Sequence, residues 1–156
     1  MGTVAARGKT PLRSSGADAG SCHGLLIDTS VLIAVERGEL NHNRILGVAQ
    51  DAGAPLAMAA ITVSEFLQGV HAARGARRVS AERSFNMWLD AVPALPFDLE
   101  AARVHALLAW QLARRGTPIG AHDLMIAATA VSRDYRVATR DRRSFHRVEG
   151  LGVEYW

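Results

Sequence analysis

The chain has 156 residues, 49% hydrophobic and 21% charged, which gives one domain enough apolar material for a core and excludes disorder throughout. Its longest near-apolar stretch, Ala54 to Val63, has about half the length of a membrane-spanning helix, and its one cysteine, Cys22, excludes a disulfide framework or a multi-cysteine zinc site. The net charge is +3, and seventeen of the eighteen basic residues are Arg, the side chain that grips phosphate with two parallel donors.

In chain order, residues 1–23 are rich in Gly, Ser, Ala and Thr and carry Arg7, Lys9 and Arg13 without an apolar segment. They read as a disordered N-terminal extension, not a secretory signal, and the expected setting is the cytoplasm. Leu25-Leu26-Ile27 is a short apolar run, a buried strand ending at Asp28. Ser30 is placed to cap a helix that runs through Arg37 and stops at Gly38, and a second helix covers Asn43 to Asp51. Pro55 to Val63 holds the next strand, with Ser64 capping a helix that carries Glu65, Phe66, Leu67 and Val70.

Gly75 breaks that helix, and Val79 to Ala91 forms another with Phe85, Trp88 and Leu89 on one face. A short strand lies near Leu95-Pro96-Phe97. Leu99 to Arg115 is a helix with basic residues in its last turn, Gly116 just beyond and Pro118 after it. Asp123 to Ser132 is apolar nearly all round and rich in Ala, a buried helix lying close on a sheet. Val137-Ala138-Thr139 and Val153-Glu154-Tyr155 complete the strands. Strands alternating with helices predict an α/β fold with a parallel sheet covered on both faces.

Four acids hold special positions in this plan. Asp28, Glu65 and Asp141 fall just beyond the C-terminal ends of predicted strands, and Asp123 opens the buried helix. In an open parallel sheet those strand ends converge on the crevice where ligands bind. Taken singly, Glu65 and Asp123 are equally explained as first-turn acids favoured by the helix dipole. Taken together, carboxylates in one crevice repel one another, and a hard divalent cation removes that penalty. Such an ion activates water and stabilises a phosphoryl transition state.

The ordered set Leu25-Leu26-Ile27-Asp28-Thr29-Ser30, Ser64-Glu65, Asp123-Leu124-Met125-Ile126-Ala127-Ala128-Thr129-Ala130 and Thr139-Arg140-Asp141-Arg142-Arg143-Ser144-Phe145 resembles a PIN domain. More narrowly, it is similar to the VapC-type toxins of bacterial toxin–antitoxin pairs. The resemblance covers residues 24–156. It implies a three-layer sandwich around a parallel sheet of about five strands, and Mg²⁺-dependent endoribonuclease cleavage of structured RNA (tRNA or rRNA class), with Mn²⁺ as a substitute. It maps the metal and catalytic acids onto Asp28, Glu65, Asp123 and Asp141, with Thr29, Ser30 and Thr139 in support. A VapB-type antitoxin and a homodimer are the implied protein partners. The antitoxin is expected on a groove from Val31 to Gln50, where Val31, Leu32, Ile45 and Leu46 are apolar.

Residues 101–147 hold nine Arg against three acids, a local excess of +6, and Arg140, Arg142, Arg143 and Arg147 flank Asp141. A solvated basic face and an RNA-phosphate rim explain this cluster equally well. His122 reads as a loop histidine and not as a general base. The six histidines show no HxxxH or HxH spacing for zinc. Trp88 and Trp110 read as core or interface anchors. Neither a P-loop nor a dinucleotide fingerprint occurs. The competing functions are a housekeeping nuclease of RNA or DNA processing and a non-cleaving RNA- or protein-binding module; the presence of all four acids argues against the latter.

Overall fold

The computed structural model describes residues 23–156; the expected extension lies outside these residues save for His23, and so does Cys22. The described residues form β1 (Gly24–Ile27), α1 (Thr29–Glu36), α2 (His42–Asp51), β2 (Leu56–Ala59), α3 (Ala60–Ala72), α4 (Gly75–Ala91), β3 (Ala94–Leu95), α5 (Leu99–Arg114), α6 (Ala121–Ser132), β4 (Tyr135–Thr139), a short 3₁₀ turn (Phe145–Arg147) and β5 (Val153–Tyr155). All strand pairs are parallel, in the order β3-β2-β1-β4-β5. This is the α/β sandwich expected. No helix among the described residues is long and apolar enough to cross a membrane.

The sheet is buried on both faces because successive side chains on its strands point to opposite layers. Leu26, Ala57, Ala59 and Val137 face a core closed by Leu108 and Leu112 of α5 and by Ile126, Ala127 and Ala130 of α6. Ile27 and Met58 face a second core with Val31, Leu32, Ile45, Phe66, Val70 and Trp88 from α1 to α4. The run of alanines on α6 lets that helix lie close on the sheet. At the other end of β1 the spacing is tight enough to require glycine: a Cβ on Gly24 would stand 2.6 Å from the Tyr135 ring and 2.8 Å from the Pro55 carbonyl oxygen. Gly116, at φ +67°, takes the left-handed position after α5, as the Arg-Arg-Gly sequence predicts.

Beyond shifts of one or two residues at the starts of α2 and α6, the expected elements differ from the observed ones in four places. Ile61-Thr62-Val63 belongs to α3, not to a strand, and the helix starts at Ala60 with Ala59 as its N-cap. The reason is tertiary. A strand needs partners, and β2 has run out of them by Ala59, where β1 offers only Leu25 to Ile27 and β3 only two residues. Asp28, not Ser30, caps α1. α4 starts at Gly75, earlier than Val79, and Leu89 on it is exposed while Trp88 is fully buried. β3 stops before Pro96, which has no N–H for the ladder.

Candidate functional site

The site grows from the end of β1. β1 and β4 are neighbours, with Ile27 opposite Ala138, and the Asp28 amide donates to the Ala138 carbonyl at 2.9 Å. From β1 the chain order moves outward through β2 on one side, while β4 lies on the other. That change of direction opens the crevice at which open α/β sheets bind ligands.

Asp28 is 4% exposed. Its Oδ2 accepts the Ser30 hydroxyl at 2.6 Å and the Thr139 hydroxyl at 2.8 Å, and the Ser30 amide lies 3.4 Å away. Burial pushes the Asp28 carboxyl above its ordinary range, and the two hydroxyls oppose that shift. Thr139 also accepts the Asp141 amide at 2.9 Å, and the Ser30 oxygen accepts the Arg140 amide at 2.9 Å. Ser30 and Thr139 thus tie the β1 and β4 ends into one hydrogen-bonded node around the first acid.

Glu65 stands in the second turn of α3, six residues beyond the end of β2, and not directly after a strand. Its Oε2 accepts the Thr29 hydroxyl at 2.5 Å, and its Oε1 lies 2.7 Å from His122 Nδ1. His122 is in the first turn of α6, so it is not the loop histidine the sequence suggests. Asp123 follows it in the same turn, half-buried, with Gly120 so close that a Cβ there would stand 3.1 Å from Oδ2.

Asp141 is turned into its own loop. Its Oδ1 accepts the Arg143 amide at 2.9 Å and the Arg143 Nε at 3.2 Å, and its Oδ2 accepts the Ser144 hydroxyl at 2.8 Å. Burial pushes this carboxyl up, but the three donors outweigh burial and hold it below the usual carboxylate range. Ser144 was legible only as part of the Asp141 motif; its bond to the carboxylate comes from the tight turn after β4.

The structure therefore gathers Asp28, Ser30, Thr139 and the Asp141 backbone, and separately Thr29, Glu65 and His122. Adjacent residues link the two sets: Thr29 follows Asp28. Asp123 makes no hydrogen bond to the other three acids. Among the described residues no group of three or more His, Cys, Asp or Glu is arranged to hold a metal ion by itself. Each carboxylate except Asp123 instead has its own donors, and burial rather than a neighbouring acid is what raises Asp28. The carboxylate donors are nonetheless all oxygen, with Asp28 and Asp141 at strand ends and Glu65 and Asp123 on α3 and α6, and a buried carboxylate such as Asp28 gains most from a cation. This fits Mg²⁺, which takes one or two protein carboxylates and completes its shell with water and phosphate oxygens.

The four arginines expected at an RNA rim are all exposed, and each has a partner. Arg140 pairs with Glu39, Arg142 lies 4.7 Å over the Tyr155 ring, and Arg147 donates to the Pro118 carbonyl at 3.0 Å. Arg143 shares itself with Asp141.

The comparisons with known proteins agree with this fold. The PIN domain family matches residues 25–151. Ribonuclease VapC1 of Rickettsia felis is 31% identical over 131 residues, covering 83% of this chain and 94% of its own. The tRNA(fMet)-specific endonuclease VapC of Salmonella typhimurium is 31% identical over 104 residues, 65% of this chain and 75% of its own. In the solved structures, DNA-bound VapBC from Salmonella typhimurium superposes with a TM-score of 0.75 at 26% identity, covering 85% of this chain and 98% of that one. Sheet order, strand-end acids and relatives of nearly equal length converge, and the chain belongs to the PIN domain family and, within it, to the VapC ribonucleases.

Proposed function

We propose that this chain is the toxin of a type II toxin–antitoxin pair, a Mg²⁺-dependent endoribonuclease that acts in the cytoplasm on tRNA or rRNA. The observation that carries the reading is Asp28, a carboxylate buried at the β1/β4 crevice whose two hydroxyl donors, Ser30 and Thr139, both converge on Oδ2. Asp28 and Asp123 would hold the cation most directly, with Glu65 and Asp141 completing its surroundings through water. When bound, Mg²⁺ or Mn²⁺ supplies Lewis-acid activation of water and charge stabilisation at the phosphoryl group. Ser30 and Thr139 orient Asp28, and Thr29 orients Glu65. The tRNA reading is supported by the name of the Salmonella relative, and the VapB-type partner by the VapBC structure.

The apolar residues expected to form the antitoxin groove are in large part core. Val31 and Leu32 lie inside the core and are not available, Ile45 is buried except for an edge that lines a neighbouring cavity, and Leu46 packs partly buried against the same core. The accessible apolar surface of the same region is a cavity of about 620 Å³ lined by Leu40, Ile45, Val48 and Trp156, with Glu39 and Arg44 at its polar side. For the homodimer, Leu107 and Trp110 on α5 are exposed and apolar, with Arg114 stacked on the Trp110 ring. The test is expression of the chain alone, which arrests growth, paired with RNA cleavage by the purified protein, which EDTA abolishes and Mg²⁺ restores. Full cleavage in excess chelator sinks the metal mechanism; harmless expression with cleavage intact sinks the toxin.

RNA approaches a crevice lined with acids, so attraction has to come from the basic rim. Arg143 helps hold Asp141, so the clean probes of phosphate contact are Arg142 and Arg147. Replacing both with Ala is expected to weaken RNA binding and to shallow the salt dependence by about 0.7–0.9 log units per lost contact per log unit of salt. The measurement is RNA affinity across a salt series in an Asp123→Asn background, which prevents cleavage. An unchanged slope removes these residues from the RNA path.

A further inference from the structure

We infer that His122 is a positioning residue that sets the second acid of the site. This rests on the metal-dependent reading above. Both oxygens of Glu65 are occupied by side-chain donors from other helices: the Thr29 hydroxyl from the start of α1 at 2.5 Å, and His122 Nδ1 from the start of α6 at 2.7 Å. An ionised carboxylate only accepts, so the proton of this contact sits on Nδ1. A glutamate side chain has three torsions, and holding it still costs rotamer freedom at the moment a ligand binds. Two donors at fixed places bear that cost in advance. His122 is also the residue before Asp123. One turn of α6 therefore carries one acid and fixes another, so the two acids move as a unit and α3 is tied to α6 at the crevice. Half-exposed as it is, with its side chain 47% accessible, His122 contributes little packing, and its role lies in this bond.

The experiment is Mn²⁺ binding to the full chain without RNA, read by titration calorimetry or by the free-Mn²⁺ resonance signal, on wild type, His122→Ala and His122→Asn. Partners that orient metal-binding carboxylates are worth about 10–100-fold in affinity, so His122→Ala is expected to weaken Mn²⁺ binding at least about tenfold with its Tm unchanged. The Asn amide nitrogen stands near the place of Nδ1 and can donate to Glu65, so His122→Asn recovers most of the affinity. Two results overturn the inference while leaving the metal reading intact: Mn²⁺ affinity in His122→Ala equal to wild type, or His122→Asn as impaired as His122→Ala. Absence of Mn²⁺ binding in the wild type is distinct from both and overturns the metal reading together with this inference.

Discussion

Asp28→Asn and Asp123→Asn are each expected to lower RNA cleavage by on the order of 10³-fold, the rate equivalent of several kcal/mol of lost charge stabilisation. Neither change alters volume, and Asn at position 28 still accepts the Ser30 and Thr139 hydroxyls through one oxygen. The two variants separate on stability. Burial raises the Asp28 carboxyl in the folded chain, so its contribution to stability is fully present below the ordinary carboxylate range. That contribution is lost as the pH rises through the raised folded value. At neutral pH without metal, Asp28→Asn removes a buried charge, and its Tm is expected to equal or exceed that of wild type. Saturating Mg²⁺ is expected to reverse the order by stabilising only the wild type. Retained cleavage in both variants would falsify the assignment of these acids, and a lower metal-free Tm for Asp28→Asn would show that the hydroxyl node needs the charge.

Trp88→Ala is expected to cost about 3–5 kcal/mol, the range for emptying a buried aromatic site. Trp88 is completely buried in the core under α1 to α4, with the His42 ring edge-on at a centroid distance of 4.4 Å. The deletion removes the aromatic contact between α2 and α4 and leaves a cavity in the cluster that also holds Ile45, Ala81 and Val92. At roughly 2–4 °C per kcal/mol for a chain of this size, the melting temperature is expected to fall by on the order of 10 °C. Thermal denaturation checks this, with Trp110→Ala as control. Trp110 is 55% exposed and stacks on Arg114, so at protein concentrations that keep the chain monomeric its loss is expected to leave Tm nearly unchanged. Equal shifts in the two variants would contradict the core assignment.

Much of this architecture can be read directly from the chain. Leu25-Leu26-Ile27 before Asp28, the Ala-rich α6 and the Arg-Arg-Gly end of α5 each combine a local preference with a buried pattern, and all three stand where expected. The crevice follows from the same alternation, since parallel strands place their C-terminal ends on one side. Ile61-Thr62-Val63 shows where local reading fails. A β-branched run suits either a strand or a buried helix, and the choice was made by how many residues β1 and β3 extend alongside β2.

The acids divide in the same way. Their identity and order along the chain are properties of the sequence alone, and so is the nearness of Asp28 and Asp141 to strand ends. What each carboxylate touches was decided by tertiary structure. His122 meets Glu65 across 57 positions of chain, and Thr139 meets Asp28 across 111, because the sheet order places β4 beside β1 and α6 packs beside α3. A hydrogen bond depends on separations of a few tenths of an ångström, and spacing along a chain carries that information only within a turn or a helix.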